Sequence, residues 1–446
     1  MMNKEEFIQL LQDKKYKTAQ NILSEMNDMD TAAFLEELDA KECALAFRLI
    51  SKEKAANVFS CMSSKMQTYL VDMFSETELK ELLDDLYMDD TVDMLEDLPA
   101  NLVTRILKNL DSNKRSTINK LLKYPEDSAG SIMTTEYVTL KKTMTVKQAM
   151  NHIKDIGIHK ETIYTCYVTE NKRLMGIVTA KSLMTSDDDE NITNLMNTNI
   201  ISVHTHTDQE QVAHLFRKYD LIAMPVLDSD GCLVGIVTFD DAMDVMVDET
   251  NEDISRMAAM EPNEKTYFET TVWQQAKHRI LWLLVLMFSA TITGSIITRY
   301  ENAFSAVPLL VSFIPMLMDT GGNCGSQSST LIIRGLALGE IHFKETFKVM
   351  FKEFRISLVV GFILAAANGL RIFIQYQNFN IAIVVALSLL VVVIVAKLIG
   401  CILPLFANKI GVDPAIMASP LITTIVDTCS ILVYFNIAVH VFNIVV

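Results

Sequence analysis

Apolar triplets, each closed by a helix-capping residue, recur along the first part of the chain: Leu38-Asp39, Ile50-Ser51, Met62-Ser63, Phe74-Ser75 and Leu110-Asp111. The first four recur every twelve residues. Asp39 with Glu42 and Ser75 with Glu78 have the form of a capping box, in which side chain and backbone satisfy each other's orphan donors. Short helices at a fixed period predict an all-α superhelical stack over residues 1–130, with an irregular helical bundle as the alternative.

From Ile132 the pattern becomes mixed α/β, and it is duplicated. One copy opens at Ile132-Met133-Thr134 and contains Leu174-Met-Gly-Ile-Val-Thr179; the other opens at Leu195-Met196-Asn197 and contains Leu233-Val-Gly-Ile-Val-Thr238. Ala223-Met-Pro-Val-Leu227 runs through Asp228-Ser-Asp-Gly231 into the second apolar run, a strand–turn–strand pattern in which Gly231 can take positive φ. The duplicated unit, residues 131–247, resembles a tandem pair of CBS domains, modules that often bind adenine nucleotides. The ending Thr-x-x-Asp of that family is present as Thr238 and Asp241, whereas the first copy has Thr179 and Ser182. That difference puts a nucleotide at the first copy in doubt, and a ligand-free dimerisation module stands as the alternative.

A strongly acidic helical pattern follows, and residues 248–277 are expected to connect the CBS pair to what comes next. Asp244 and Asp248 are spaced to share a helix face, as are Glu249 and Asp253, and like charges so placed repel. A cation offsets them, or they face water.

Beyond Lys277 the pattern is long and apolar. Five segments, near 279–299, 305–334, 354–376, 380–407 and 414–444, are each long enough to cross a hydrocarbon core of about 30 Å. Residues 278–446 are thus expected to form an α-helical membrane domain. Lys277 and Arg279 before the first segment, and Arg334, Lys344, Lys348, Lys352 and Arg355 between the second and third, place those ends in the cytoplasm. An odd number of crossings puts the C-terminus outside.

Charge divides the same way. His278 to Val446 carries 10 Lys+Arg and 7 Asp+Glu, out of 39 and 55 in the whole chain, so the preceding part is acidic and the membrane part near neutral. An acidic surface suits cations and lacks the basic footprint of a nucleic-acid partner. The N-terminus lacks the apolar core of a signal peptide, and the 7 scattered cysteines form no CxxC pair, which suits a reducing cytosolic compartment. No nucleophile–base constellation or phosphate loop points to an enzyme.

The polar residues inside the apolar segments carry the chemistry. Asp427 stands mid-segment, where a charge is expensive and by default marks a pathway. Thr423 and Thr424 precede it by one helical turn. Pro404, Pro414 and Pro420 free backbone carbonyls, which lipid does not tolerate but a cavity does. The second segment ends in a polar run in which Gly321, Gly322 and Gly325 allow close backbone approach and Asn323 and Gln327 share a face. This reads as the lining of a wet passage, with tight helix packing as the alternative. A structural bridge from Asp427 to Lys397 or Arg371 is the bland reading of the charge. The oxygen donors Asp427, Asn323, Thr423 and Thr424 suit a hard metal cation, of which Mg²⁺ prefers six oxygens and sheds water reluctantly.

Gly321-Gly-Asn-Cys-Gly-Ser-Gln, Arg334-Gly-Leu-Ala-Leu-Gly-Glu340, Asp413-Pro-Ala with Pro420, Thr424 and Asp427, Leu83-Asp-Asp-Leu and Tyr124-Pro-Glu-Asp-Ser-Ala-Gly130 are similar to the MgtE family of magnesium transporters. The likeness covers nearly the whole chain in the family's order. It implies a homodimeric, multi-pass Mg²⁺ channel of the cell membrane with Asp427 as selectivity carboxylate. It also implies a cytosolic Mg²⁺ sensor drawn from Asp89, Asp90, Asp93, Asp244, Asp248, Glu249, Glu252 and Asp253, which closes the channel when Mg²⁺ is plentiful. Ser326, Ser328 and Ser329 depart from the family's usual Asn and Ala. Transport of Mn²⁺ or Co²⁺, and a membrane sensor that transports nothing, are the alternatives.

Overall fold

The computed structural model describes residues 3–263, 267–268, 270–301 and 307–443. The chain divides into two compact units, Met1–Met246 and Val247–Val446. Residues 305–306 of the expected second span and residue 444 of the fifth lie outside the described residues.

The first unit opens with short helices from Lys4–Gln12 to Ser112–Leu121. Past the first four, packing runs mainly between next-but-one neighbours, as of Lys52–Ser60 on Glu76–Asp85 and of Glu76–Asp85 on Ala100–Asn109. That stacking is the superhelical arrangement, with Leu35, Phe59, Leu70, Leu79 and Ile106 fully buried along it. Ser75 forms the expected capping box with Glu78. Asp39 does not: its backbone takes the cap conformation, but its side chain accepts no capping bond, and one carboxyl oxygen of Glu42 is buried without a partner.

The duplicated region forms two three-stranded sheets of the same order. Val138–Lys141 runs parallel to Thr165–Glu170, which pairs antiparallel with Arg173–Thr179. Val203–His204, Ala223–Leu227 and Leu233–Thr238 repeat this arrangement. The lead-in of each copy pairs with the last strand of the other, Thr134 with Ile236 and Asn197 with Ile177. The glycine of each repeat is what permits this exchange. A Cβ on Gly235 would stand 2.5 Å from Met133 Sδ, and one on Gly176 2.9 Å from Met196 Sδ. Gly231 has the expected positive φ of 75°.

The acidic helix runs Phe239–Met257, so it begins within the segment assigned to the CBS pair and stops well before Lys277. Val272–Lys277 belongs instead to the first long apolar helix, Val272–Arg299. Four more long helices follow: Ile314–Ala337, Thr346–Tyr376, Phe379–Lys409 and Ser419–Phe442. Among the described residues, four helical segments are long and apolar enough to cross a membrane; Ile314–Ala337 is not one of them. Its polar run explains why, and that run occupies the middle of the helix, not its end.

Candidate functional site

Three groups of carboxylates emerge from this architecture, two outside the apolar bundle and one within it. The first lies in the first unit. Helix Met88–Asp97 places Asp89, buried at 8% exposure, and Asp90 at its first turn. Glu136, in the lead-in to the first sheet, accepts a hydrogen bond from the Met88 amide at 3.2 Å. Asp241, which opens the acidic helix, accepts a 2.6 Å bond from the Thr238 hydroxyl. In the first copy Thr179 and Ser182 link hydroxyl to hydroxyl at 2.9 Å instead.

These carboxylates crowd each other. Burial, then the charge of Asp90, raises Asp89 to about 7. Burial, then Asp89, raises Asp241 to about 7. Glu161 rises to about 8 by burial and by the charges of Asp89, Asp90, Asp241 and Asp240, and its Oε2 is buried without a partner. Asp93 reaches the surface yet belongs to the crowd: desolvation, then the charges of Asp241 and Asp89, raises it to about 8, while Asp244 is exposed. Sequence reasoning missed Glu136 and Glu161: Glu136 lies in the lead-in of the first copy, and Glu161, in the loop before strand Thr165–Glu170, donates its amide to the Glu136 carbonyl at 2.9 Å, a proximity that no local pattern announces.

The second group lies in the second unit, at the end of the acidic helix. Arg256 bridges Glu252 on its own helix and Asp413, which precedes the last long helix. Asp413 also accepts a 2.7 Å bond from the Ala415 amide, so it caps the turn Pro414–Met417. Met257 packs against Ala415 and Ala418 beside that turn, together with Ile333. Asp253 rises to about 6 by burial, then by the charges of Asp413 and Glu249. Asp413 could have been found from sequence, since an Asp directly before Pro at a helix start is a capping signal. Among the described residues, no three carboxylate, imidazole or thiol side chains are close enough to form a ready-made metal site. Both groups therefore concentrate charge without forming a coordination shell.

The third group is in the apolar bundle. Asp427 is half-buried on Ser419–Phe442 and makes no ion pair among the described residues, and Asp319 is near enough for its charge to act on it. The expected bridges to Lys397 and Arg371 are absent: Lys397 faces Glu353, and Arg371 bonds Asn368 at 3.0 Å. The glycines pack. A Cβ on Gly321 would meet Ser430 Oγ at 2.8 Å, one on Gly322 would meet Thr423 at 3.0 Å, and one on Gly325 would meet Ile422 at 2.8 Å. Their helix is thereby pressed onto the last helix, while Asp319, Asn323 and Gln327 on its other face are exposed. Packing thus accounts for the glycines, and lining is left to Asn323 and Gln327. Thr423 and Thr424 direct their hydroxyl protons back along the helix: both donate to the Pro420 carbonyl, at 3.0 and 2.9 Å. Pro420 and Pro414 open their helices, where proline fits without loss, and only Pro404 lies inside one.

A stacked helical domain and a CBS-type pair, followed by apolar helices with a carboxylate at mid-helix, define a membrane protein of the transport class whose helical and CBS-type domains precede the apolar helices in sequence. Comparison with known proteins narrows this. Residues 314–437 match the MgtE divalent cation transporter family, residues 26–127 the MgtE intracellular N domain, and 129–188 and 192–248 the CBS domain. The magnesium transporter MgtE of Bacillus subtilis is 33% identical over 96% of this chain and 95% of its own length. That of Thermus thermophilus is 34% identical over 96% of each. The crystal structure of the cytosolic domain of the Mg²⁺ channel MgtE in complex with ATP aligns with a TM-score of 0.52 at 33% identity, covering 55% of this chain and 100% of that one. The chain belongs to the MgtE family.

Proposed function

We propose that this protein carries Mg²⁺ across the cell membrane through a path that passes Asp427, and that Mg²⁺ on the cytosolic side closes it. The observation that carries the path is the exposed polar face Asp319, Asn323 and Gln327 on a helix of the apolar bundle, with Asp427 on the neighbouring helix. Lipid does not accept such a face, so a water-filled cavity or a second copy covers it. A homodimer does both: two copies of this face enclose a polar passage, and paired Asp427 carboxylates hold a hydrated divalent ion through its water shell. The helix Ile314–Ala337 then counts as a crossing, the bundle has five, and the C-terminus lies outside.

Gating rests on the other two groups. Repulsion among Asp89, Asp90, Asp241 and Glu161, and of Asp253 with Asp413, is relieved when divalent cations bind, with Asp93, Asp244, Asp248 and Glu249 supplying further oxygens. The domains ahead of the bundle face the cytoplasm in this reading. ATP is a candidate ligand of the CBS pair, supported by the ATP-bound relative, with Thr238 and Asp241 of the second copy nearest to the family's ribose-binding pattern. Uptake of Mg²⁺ into liposomes preloaded with low or high Mg²⁺ tests the reading. Fast entry at low and slow entry at high internal Mg²⁺ is expected; entry no faster than into empty liposomes would end it.

A further inference from the structure

Two charges in the apolar bundle play no part in the path just described. Lys397 on Phe379–Lys409 and Glu353 on Thr346–Tyr376 are 5% and 6% exposed. Their Nζ and Oε2 are 4.0 Å apart, too far for a direct hydrogen bond. Ser328, fully buried on Ile314–Ala337, closes the gap. Its hydroxyl donates to Glu353 Oε2 at 2.7 Å and accepts from Lys397 Nζ at 3.2 Å. Three helices thus meet at one serine.

Around this point the second and fourth long helices are in backbone contact, since a Cβ on Gly400 would lie 2.2 Å from Gly325 O. The next residue, Ser329, donates to Met417 O at 3.0 Å and so ties the same helix to the turn before Asp427's helix. Contacts on this side therefore fix both rotation and height of Ile314–Ala337, whose opposite side carries Asn323 and Gln327. An apolar core is permissive about rotation, because many packings have similar energy. A charged pair bridged through one hydroxyl is not, because any slip leaves a buried charge unpaired.

We propose that Lys397, Ser328 and Glu353 are positioning residues for ion transport: together they lock the helix of Asn323 and Gln327 in the register that presents these amides to the ion path. The proposal rests on the transport reading above. It is tested in liposomes with the full chain, measuring Mg²⁺ flux against concentration, the Mg²⁺ to Ca²⁺ flux ratio, and thermal stability. Wild type and Asp427→Ala are measured in parallel, so a wild type without flux refutes the transport reading and not the lock. Removing one charge, as in Lys397→Met, is expected to lower stability and flux together. The informative variants are Ser328→Ala, which removes the bridge but leaves the two opposite charges facing each other at 4.0 Å, and the double variant Lys397→Met with Glu353→Gln, which removes both charges. Both are expected to retain melting behaviour close to wild type while maximal flux falls by more than about tenfold or the ion ratio shifts. Exchanging the charges, Lys397→Glu with Glu353→Lys, restores part of the flux. Wild-type flux and ion ratio in both Ser328→Ala and the neutral double variant would overturn the lock and leave a purely structural bridge.

Discussion

At the residue scale, Thr423 and Thr424 look like Asp427's companions in sequence, yet both hydroxyls are turned to the Pro420 carbonyl. Replacing either by Val removes a local bond of about 1 kcal/mol and should change Mg²⁺ flux little. Asn323→Ala removes an exposed amide on the face we assign to the path, so liposome flux should fall much further. Equal loss in the two classes would return the threonines to the ion's shell. Gly400 makes a sharper structural prediction, because a Cβ there would stand 2.2 Å from the Gly325 carbonyl oxygen. Gly400→Ala should destabilise the bundle by about 3 kcal/mol, measured as lost monodisperse protein in detergent.

At the element scale, the acidic helix and the turn at Asp413 form one mechanical unit, joined by Arg256 and Met257. Arg256→Gln should loosen that joint and shift the Mg²⁺ dependence of flux, with Arg256→Lys closer to wild type. Neutralising Asp248 and Glu252 together should make Mg²⁺-dependent protease protection less sensitive to the ion; unchanged protection would count against their sensor role. A pH effect follows from the carboxylates of the first unit. Asp89 and Asp241 rise to about 7 and Glu161 to about 8, so the folded state binds more protons than the unfolded one above pH 4. Stability without divalent cations should therefore fall as pH rises from 5 toward 8, and Mg²⁺ at pH 8 should recover it. Hydrogen exchange in helix Met88–Asp97 reports this directly. Element order was largely legible beforehand, because apolar period and repeat length are local. The partners of Asp89 were not: Glu136 comes from the lead-in of the first CBS copy and Glu161 from a loop inside that copy, both far from Asp89 in sequence. Nor was Lys397's partner, because Glu353 stands between Lys352 and Arg355 just ahead of the third apolar segment, where a carboxylate draws no notice.

At the scale of the whole molecule, the proposed reading covers the exposed polar face of Ile314–Ala337 with a second copy. Gln327→Cys should cross-link two chains in membranes under mild oxidation, and a chain that stays monomeric there would contradict the shared passage. The proposed reading divides the labour: carboxylates ahead of the bundle respond to the ion, and Asp427 meets it in transit. Uptake of Mg²⁺, Ca²⁺ and Mn²⁺ into liposomes, comparing wild type with Asp427→Ala, tests that claim most directly. Mg²⁺ flux through wild type exceeding that of the other ions, and its loss in Asp427→Ala, is the predicted result; equal Mg²⁺ flux through the two proteins would contradict it.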